Sequence, residues 1–194
     1  MKKVFEFIKP ALWAIAVITT LQFFGLLSSV TYVAQSALLK TGVMNFRAEP
    51  LKKDKPFDYN FTIKDMNGNK ISFHEYRGKV IFLNIWATWC GPCRAEMPTI
   101  QNTFDKIESS DIVFIMLSID KEGSQAKIEK YIQDKQYSFP VYMPSGYLPE
   151  QLQVPSIPTT YIITKDGFIA SKKTGTTNFD TNKFRNYLLE LANN

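Results

Sequence analysis

The sequence VIFLNIWATWCGPCRAEMP, residues 80–98, decides the fold of this chain. It opens within a nearly continuous apolar run, Lys79–Trp86, which is typical of a central strand covered on both faces. A Cys-x-x-Cys motif follows at Cys90 and Cys93, and apolar residues at spacings of three and four then predict a helix to about Ser109. The two cysteines are therefore expected where a buried strand ends and a helix begins.

The position of the cysteine pair favours thiol–disulfide chemistry. Two cysteines separated by two residues at the start of a helix can close a small disulfide with little backbone change. The unpaired amides and the positive end of the helix dipole stabilise a thiolate at Cys90, and the thiolate is the nucleophile. Pro92 suits the first helical turn because that turn needs no N–H at its start. We expect Cys90 to attack a substrate disulfide and Cys93, deeper in the helix, to resolve the mixed disulfide.

Other uses of a Cys-x-x-Cys motif fit this sequence less well. A zinc ribbon needs a second cysteine pair, but the whole sequence holds two cysteines and one histidine. Covalent haem attachment needs a histidine after the second cysteine, where Arg94 stands. A purely structural disulfide would not require an apolar strand before it and a helix after it. The sequence therefore predicts a redox-active pair, with no metal site and no bound cofactor.

Composition and charge place the chain among ordinary globular proteins. Hydrophobic residues make up 45% of the 194 residues and charged residues 21%, which argues against a largely disordered chain. The net charge is +5, of which +3 falls in residues 1–50. Because the rest of the chain is nearly neutral, no nucleic-acid partner is expected.

The N-terminal segment has the pattern of a membrane anchor. No charged residue occurs in residues 10–39, and a helix of that length exceeds the roughly 30 Å hydrocarbon core of a bilayer. Lys2, Lys3 and Lys9 precede the run, and the positive-inside rule then places the N-terminus in the cytoplasm. We therefore predict a cytoplasmic start and a single-pass transmembrane anchor in residues 1–39, in contact with membrane lipid, and a catalytic domain that is periplasmic or otherwise extracytoplasmic.

A cleaved signal peptide is the alternative interpretation of the same segment. Ala34-Gln35-Ser36 has small residues at the spacing of a cleavage site, and a cut after Ser36 would release the domain. Against cleavage, the apolar region is longer than the usual core of a signal peptide, which has about 7–15 residues. Both interpretations export the domain.

The rest of the chain alternates predicted strands and helices. Residues 40–56 are expected to form a linker, and residues 57–194 the domain. Asn67-Gly68 predicts a leading hairpin, because both residues accept positive φ. The expected elements are strands at 58–64, 70–73, 79–86, 112–119 and 139–143, helices at 90–109, 121–136, 147–152 and 181–192, and a hairpin of 159–164 with 168–173. This order indicates an α/β fold, and the last hairpin makes its sheet mixed.

Residues 82–98, with the motif Trp-Cys-Gly-Pro-Cys, resemble the thioredoxin superfamily and, more narrowly, the membrane-anchored TlpA/ResA-like thiol-disulfide oxidoreductases. The resemblance runs from Phe57 to the C-terminus and includes the leading hairpin, Gly78-Lys79 and Ile157-Pro158-Thr159-Thr160. It implies a thioredoxin fold, in which helices flank a mixed central sheet, with an N-terminal β-hairpin. It also implies an inserted helix–strand segment between Asp120 and Pro158.

The resemblance also assigns substrate-binding residues. In the family, the proline that matches Pro158 is cis and faces the disulfide. The backbone of the residue before it, here Ile157, is expected to pair with an extended substrate in the manner of strand addition. Trp89 is expected to cover the disulfide and to contact substrate, together with Gly91 and Pro92 between the cysteines.

Glu96 completes the predicted catalytic set with Cys90 and Cys93. It follows Cys93 by three residues and so lies on nearly the same face of the helix. The TlpA/ResA-like group has a functional Glu in this position, and an ionised carboxylate near a buried thiol can take its proton. Thioredoxin itself has a buried Asp six residues before the first cysteine, where this chain has Asn84. Because Asn84 cannot titrate, Glu96 is the natural substitute.

The resemblance implies an exported enzyme that reduces protein disulfides. Gly91-Pro92 is the dipeptide of reducing thioredoxins, whose potential is about −270 mV, against about −120 mV for the oxidant DsbA. A reductant outside the cytoplasm needs electrons, so a membrane thiol-electron donor is an expected partner. The family suggests apocytochrome c as a substrate, and with it a role in cytochrome c maturation.

Three other functions remain as alternatives. A disulfide oxidant or isomerase would use the same fold and the same cysteine pair. A peroxiredoxin-type peroxidase needs a proline and a Thr or Ser upstream of one peroxidatic cysteine, and Ala87-Thr88-Trp89 lacks that proline. The last alternative is a membrane-tethered binding domain without activity, against which the intact cysteine pair argues.

Overall fold

A seven-stranded mixed sheet forms the centre of the structure, a computed structural model that describes residues 2–23, 27–47 and 56–193. The strands are β1 (Thr62–Asp65), β2 (Lys70–Ser72), β3 (Val80–Trp86), β4 (Ile112–Ser118), β5 (Val141–Pro144), β6 (Thr159–Ile163) and β7 (Ile169–Thr174). Their order across the sheet is β2-β1-β5-β4-β3-β6-β7. Within it, β3 pairs parallel with β4 and antiparallel with β6, so the sheet is mixed, as predicted.

Five α-helices lie in the described residues. They are α1 (Lys2–Phe23), α2 (Leu27–Lys40), α3 (Gly91–Phe104), α4 (Gln125–Asp134) and α5 (Asn182–Asn193). Single turns of 3-10 helix occupy Phe73–Tyr76 and Glu150–Leu152. The order of elements agrees with the prediction, but three predicted helices are shorter than expected, one of them α4, which covers Gln125–Asp134 where residues 121–136 were predicted. α3 ends at Phe104 rather than near Ser109, and the helix predicted for residues 147–152 is only the 3-10 turn that follows Pro149.

β3 delivers the chain to the site from the middle of the core. All seven of its residues are buried. Its side chains alternate between two clusters, because successive residues of a strand point to opposite faces of the sheet. One cluster holds Phe82 with Phe114 and Phe184, and the other holds Leu83 with Tyr161. Burial on both faces explains the continuous apolar sequence, and the predicted central strand is confirmed.

The predicted insertion lies between β4 and β6 and consists of α4 and β5. β5 pairs parallel with β4 and antiparallel with β1, so it joins the leading β1–β2 hairpin to the rest of the sheet. The thioredoxin-like α/β fold, with its mixed sheet, leading hairpin and inserted helix and strand, is therefore confirmed.

The chain that follows α2 is attached to the domain through Phe46. This side chain is 2% exposed, and its ring centroid lies 4.5 Å from that of Phe184 on α5. The Phe46 N–H donates to Asn178 O at 3.0 Å. Part of the segment predicted as a linker, residues 40–56, thus packs in the core, whereas residues 48–55 lie outside the described residues.

The anchor predicted for residues 1–39 covers α1 and α2. Residue 1 and residues 24–26, between the two helices, lie outside the described residues. In the part of the chain that the structure describes, no helix combines the length and the apolar character needed to cross a membrane. α2 packs on α3, where the guanidinium of Arg94 lies 5.5 Å from the ring centroid of Tyr32.

Candidate active site

Cys90 and Cys93 form a disulfide at the N-terminus of α3. The S–S distance is 2.11 Å and the Cα atoms are 5.3 Å apart. Cys90 is the N-cap residue of the helix, and its Sγ accepts a hydrogen bond from the Cys93 N–H at 3.1 Å. Pro92 lies in the first turn, as predicted, because that turn leaves its early N–H groups without partners inside the helix. The helix amides therefore point at Cys90, where they favour a thiolate after reduction.

Both cysteines of the disulfide are buried. Cys93 is 1% exposed and Cys90 is 5% exposed, and both belong to the core cluster on the α3 side of the sheet. Trp89, directly before Cys90, is 56% exposed, whereas Trp86 is fully buried. Trp89 thus offers a large apolar surface beside the disulfide, while Trp86 belongs to the core.

The Ile157-Pro158 segment lies next to the disulfide, directly before β6. The Ile157–Pro158 peptide bond is cis, as the resemblance implied, and Ile157 O lies 3.8 Å from Cys90 Sγ. Ile157 is half-buried and Pro158 is buried. The Gly175 N–H donates to Pro158 O at 2.8 Å, which ties the proline to the loop after β7. The structure therefore brings together the cysteine pair and the Ile157-Pro158 segment, which are more than sixty residues apart in sequence.

Glu96 is buried in α3 and its carboxylate is held at both oxygens. Asn84 Nδ2 donates to Glu96 Oε1 at 2.8 Å, and the Thr177 N–H donates to Glu96 Oε2 at 3.0 Å. Asn84 Nδ2 also donates to Thr160 Oγ1 at 2.8 Å. Asn84 lies in β3, Thr160 in β6 and Thr177 after β7. The Glu96 carboxylate is therefore held by β3 and by the loop after β7, and β6 holds Asn84 in place.

The surroundings of Glu96 favour its protonated form. Burial raises the pKa of Glu96 to about 8, because the charged form is taken out of water, and the hydrogen bonds from Thr177 and Asn84 oppose that shift only in part. Glu96 is therefore mostly protonated at neutral pH, and its ionised fraction, which grows as pH rises, can accept a proton as a general base does. The neutral acid also needs an acceptor for its O–H. Among the described residues Asn84 Oδ1 has no hydrogen-bond partner, so rotation of the Asn84 amide can supply one.

Asp120 holds the loop before Cys90, and the sequence analysis did not identify this role. Asp120 Oδ2 accepts from the Thr88 N–H at 2.8 Å and Asp120 Oδ1 from the Thr88 hydroxyl at 2.5 Å. The Ser118 hydroxyl also donates to Asp120 Oδ2, at 2.8 Å. The loop that carries Trp89 and Cys90 is thereby fastened to the end of β4. An acidic residue directly after a buried strand was the sequence signal for it.

Thr177 was also missed, because it acts through its backbone N–H. Any residue except proline has a backbone N–H, so the sequence does not indicate that position 177 binds Glu96. The neighbouring Thr176 hydroxyl donates to Pro92 O at 3.4 Å, so the loop after β7 contacts both the acid and the Cys-x-x-Cys turn. Arg94, in the first turn of α3, lies over Tyr32 of α2.

This arrangement can carry out thiol–disulfide exchange. Four groups lie around the N-terminus of α3. They are the sulfur of Cys90, which accepts a helix N–H, the sulfur of Cys93, the exposed indole of Trp89, and the buried carboxyl of Glu96, which titrates near neutrality. Glu96 follows Cys93 by three residues and Cys90 by six, and the carbonyl oxygen of Ile157 lies across from Cys90 Sγ. The roles predicted for Gly91, Pro92 and Ile157 in substrate binding remain predictions.

Comparison with known proteins places the chain in a family. The model of the AhpC/TSA family matches residues 57–172. The thiol-disulfide oxidoreductase ResA of Bacillus cereus is 32% identical over 117 residues, which are 60% of this chain and 66% of that protein. ResA of Bacillus subtilis is 29% identical over 118 residues, 60% of this chain and 65% of its own length. The chain thus spans just under two thirds of the length of these relatives.

Solved structures agree with this assignment. The crystal structure of StoA from Bacillus subtilis superimposes with a TM-score of 0.54 at 26% identity, over 68% of this chain and 94% of StoA. A thiol:disulfide interchange protein of the thioredoxin family from Chlorobium tepidum shares the fold, with a TM-score of 0.56 at 22% identity, over 75% of this chain and 99% of that one. The chain therefore belongs to the AhpC/TSA family and, within the thioredoxin superfamily, is a TlpA/ResA-like member.

Proposed function

We propose that the protein is a thiol-disulfide oxidoreductase that reduces protein disulfides through a Cys90/Cys93 cycle. The observation that carries this proposal is the disulfide at the N-terminus of α3, with Ile157 O 3.8 Å from Cys90 Sγ. An extended substrate that pairs with the backbone of Ile157 would bring its own disulfide to Cys90. The exposed indole of Trp89 offers such a substrate an apolar contact.

The cycle transfers two electrons from the protein dithiol to the substrate. The Cys90 thiolate attacks one sulfur of the substrate disulfide, the other substrate sulfur leaves as a thiolate, and a mixed disulfide forms. Cys93 loses its proton and attacks Cys90 Sγ, which releases the second substrate sulfur and closes the Cys90–Cys93 disulfide. Glu96 is the group that accepts the Cys93 proton, because it is buried on the same helix and titrates near neutrality.

The proposed direction is reduction. Gly91-Pro92 between the cysteines is the dipeptide of reducing thioredoxins, and we expect a potential nearer about −270 mV than about −120 mV. The closed disulfide must then be reduced again by a membrane thiol-electron donor. A measured potential close to that of DsbA would instead make the protein an oxidant. Apocytochrome c is the substrate to test first, since the resemblance to TlpA/ResA-like proteins suggests cytochrome c maturation.

The proposed location is the outer side of a membrane, with the segment of residues 1–39 as the anchor and the N-terminus in the cytoplasm. Large apolar side chains of α1 are exposed in the structure, among them Leu12, Trp13, Ile15 and Ile18. The hydroxyls of Thr19 and Thr20 donate to carbonyls one turn earlier, Ile15 O and Ala16 O, at 2.9 and 2.7 Å. Internal hydrogen bonds of this kind are what the hydrocarbon core requires of polar groups.

Cell fractionation tests the location. The full-length protein should remain in the membrane fraction, with its domain cut by external protease. Soluble mature protein that begins near Ala37 would favour the signal peptide.

Trapping tests the activity in the full-length chain. The Cys93→Ser variant keeps Cys90 as nucleophile but removes the resolving thiol, so substrates should accumulate on it as mixed disulfides. The matched control is Cys90→Ser, which should trap few proteins because its remaining thiol, Cys93, lies inside the first turn of α3 and lacks the N-cap position where the helix amides favour a thiolate. Equal trapping by both variants, or by neither, would contradict the proposed order of attack.

A further inference from the structure

α2 turns its polar side towards the domain and its apolar side away from it. The residues that face inward are half-buried or buried and mostly polar: Thr31, Tyr32, Gln35, Ser36 and Leu39. The described exposed residues of α2 are Ser29 and Lys40 near its two ends and, along the side away from the domain, five apolar residues: Val30, Val33, Ala34, Ala37 and Leu38. We call these five apolar residues the outer stripe. An amphipathic helix at a protein surface normally has the opposite orientation, with its apolar side on the core.

The outer stripe is a continuous surface. Its positions 30, 33, 34, 37 and 38 follow the spacing of one face of a helix. Val33 is 64% exposed, and Val30 and Leu38 are each about half exposed. Water contact with such a stripe is unfavourable, at about 25 cal/mol for each Å² of apolar surface left uncovered. A helix that is polar towards its own domain and apolar outward fits an apolar environment outside the protein.

The inward side of α2 is held on the helix of the cysteines. Arg94, next to Cys93 in α3, lies over the ring of Tyr32, 5.5 Å from its centroid. Leu39 is 6% exposed, and the following segment is fixed through Phe46 in the core. The outer stripe therefore has a defined direction, since α2 cannot rotate without breaking these contacts.

The surroundings of α2 in the chain identify the lipid bilayer as the partner of the outer stripe. The run without charged residues extends from position 10 to position 39 and so includes nearly all of α2, and charge returns only with Lys40 at its end. The uncharged residues 10–26, which precede α2 in the sequence, number 17, at the lower end of the range of about 17–25 residues that a membrane-spanning segment needs. The chain would then reach the far membrane surface where α2 begins, at Leu27.

We propose that α2 is an interfacial helix whose outer stripe lies in the boundary between lipid headgroups and acyl chains. The proposal rests on the membrane anchor proposed above. Amphipathic helices in this position bury their apolar face about 5–10 Å into that boundary. α3 packs on the opposite side of α2, and packed helix axes lie about 8–10 Å apart. The disulfide helix is thereby seated directly above the membrane surface, within reach of a membrane-embedded dithiol.

Photo-crosslinking of the full-length chain tests this seating. The photoreactive residue benzoylphenylalanine is placed at position 33 or 38 of the outer stripe, at position 13 of α1, or at position 130 of α4. Each protein is reconstituted in phosphatidylcholine–phosphatidylglycerol vesicles and irradiated, and adducts are identified by mass. Lys130 is exposed and lies on α4, so position 130 is the matched control. We expect lipid adducts at positions 13, 33 and 38 and none at position 130.

The outcomes separate the seating of α2 from the anchor itself. Lipid adducts at position 13 without any at 33 and 38 would overturn the interfacial helix while leaving the anchor in place. Absence of adducts at all three positions would overturn both. Adducts of twice the protein mass at 33 or 38 would show a second copy on the outer stripe and also overturn the proposal.

A pair of stripe variants gives a second test with the photoreactive residue at position 30. Val33→Glu with Leu38→Glu places charge on the outer stripe and should abolish the lipid adduct at position 30. Val33→Leu with Leu38→Met keeps the stripe apolar and should retain it. An adduct that survives the double Glu change would contradict the proposed lipid contact.

Discussion

At the scale of single residues, Glu96 is a buried acid whose protonated form is more stable than its ionised form at neutral pH. Glu96 accepts hydrogen bonds from Asn84 and Thr177, yet burial still raises its pKa to about 8. Two buried donors without a full charge do not replace the water that a carboxylate loses. The side chain therefore titrates near neutrality, three residues after Cys93, and its ionised form is the proton acceptor that we propose for Cys93, whose own ionisation is opposed by burial.

Changing Glu96→Gln removes the proposed proton acceptor with little change of shape. We expect disulfide reduction to slow at neutral pH, within the range of about 10²–10⁴-fold that general base catalysis typically contributes. The joint titration of Glu96 and Cys93 should also change, because interacting groups titrate as a pair. Rates and thiol titrations measured across pH check this expectation. Glu108→Gln, at an exposed position after α3, is the control and should leave both unchanged.

An unchanged rate profile and titration in Glu96→Gln would contradict the assigned role. The proton of Cys93 would then leave by another route, such as water.

Asp120→Ala should destabilise the loop before Cys90. The carboxylate accepts from the Thr88 N–H, the Thr88 hydroxyl and the Ser118 hydroxyl, and these buried donors would lose their acceptor. A buried donor left without a partner costs about 1–3 kcal/mol, so the free energy of unfolding should fall by at least that amount. Urea denaturation measures it. Asp134→Ala removes an exposed ion pair with Lys130 and should change stability by less than about 1 kcal/mol.

Equal effects of the Asp120 and Asp134 changes would mean that Asp120 contributes no more than a surface charge. The loop before Cys90 would then be held by its backbone contacts alone.

The residues of the site were predictable from the sequence to the extent that their signals are local. Cys90, Cys93 and Pro92 follow from a short motif between a strand and a helix. The cis bond before Pro158 and the importance of Glu96 came from resemblance, because a single X–Pro bond or helix Glu carries no such signal. The hydrogen bonds of Thr177 and Asp120 depend on tertiary pairing between distant segments, which spacing does not encode.

At the scale of elements, the strands that are buried on both faces were the most predictable. β3 and β4 are read from continuous apolar runs, and the β1–β2 hairpin from Asn67-Gly68. Helix ends were less predictable, since α3 stops at Phe104 although apolar residues continue to Ile107. Ile107 still packs against the core from the turn that follows, so the same apolar pattern is satisfied without a helix.

Phe46→Ala tests whether the segment after α2 is part of the folded domain. The ring is buried among aromatic side chains of α5 and the preceding loop, with Phe184 4.5 Å away by centroids. Truncation of a buried Phe costs about 3–5 kcal/mol, so the free energy of unfolding should fall by about that amount. Val43→Ala, at a 72% exposed position nearby, should change it by less than about 0.5 kcal/mol.

A similar, small effect of both changes would show that the segment behaves as a linker in solution. The family model begins at residue 57, so conserved-domain boundaries alone would have left Phe46 outside the fold.

At the scale of the whole molecule, the buried acid links stability to pH. A carboxyl whose folded pKa exceeds its unfolded value favours folding while it is protonated, and this contribution is lost as pH rises. The window for Glu96 runs from its ordinary value of 4.5 to about 8. Other shifts act outside this window. The hydrogen bond from Lys79 holds the pKa of Asp111 below its usual range, and burial raises the pKa of Tyr131 to about 12.

The oxidised protein should therefore lose stability between pH 5 and pH 8 through Glu96. Within this window the unfolded chain has released the Glu96 proton while the folded chain keeps it, and the slope approaches about 1.4 kcal/mol for each pH unit. Urea denaturation of the disulfide form at intervals of half a pH unit measures the slope, and the closed disulfide keeps thiol ionisation out of it. Glu96→Gln cannot titrate, so its slope in this range should be smaller by the same amount. Parallel curves for the two proteins would show that Glu96 is already ionised in the folded state at neutral pH, and would contradict the raised pKa of this buried acid.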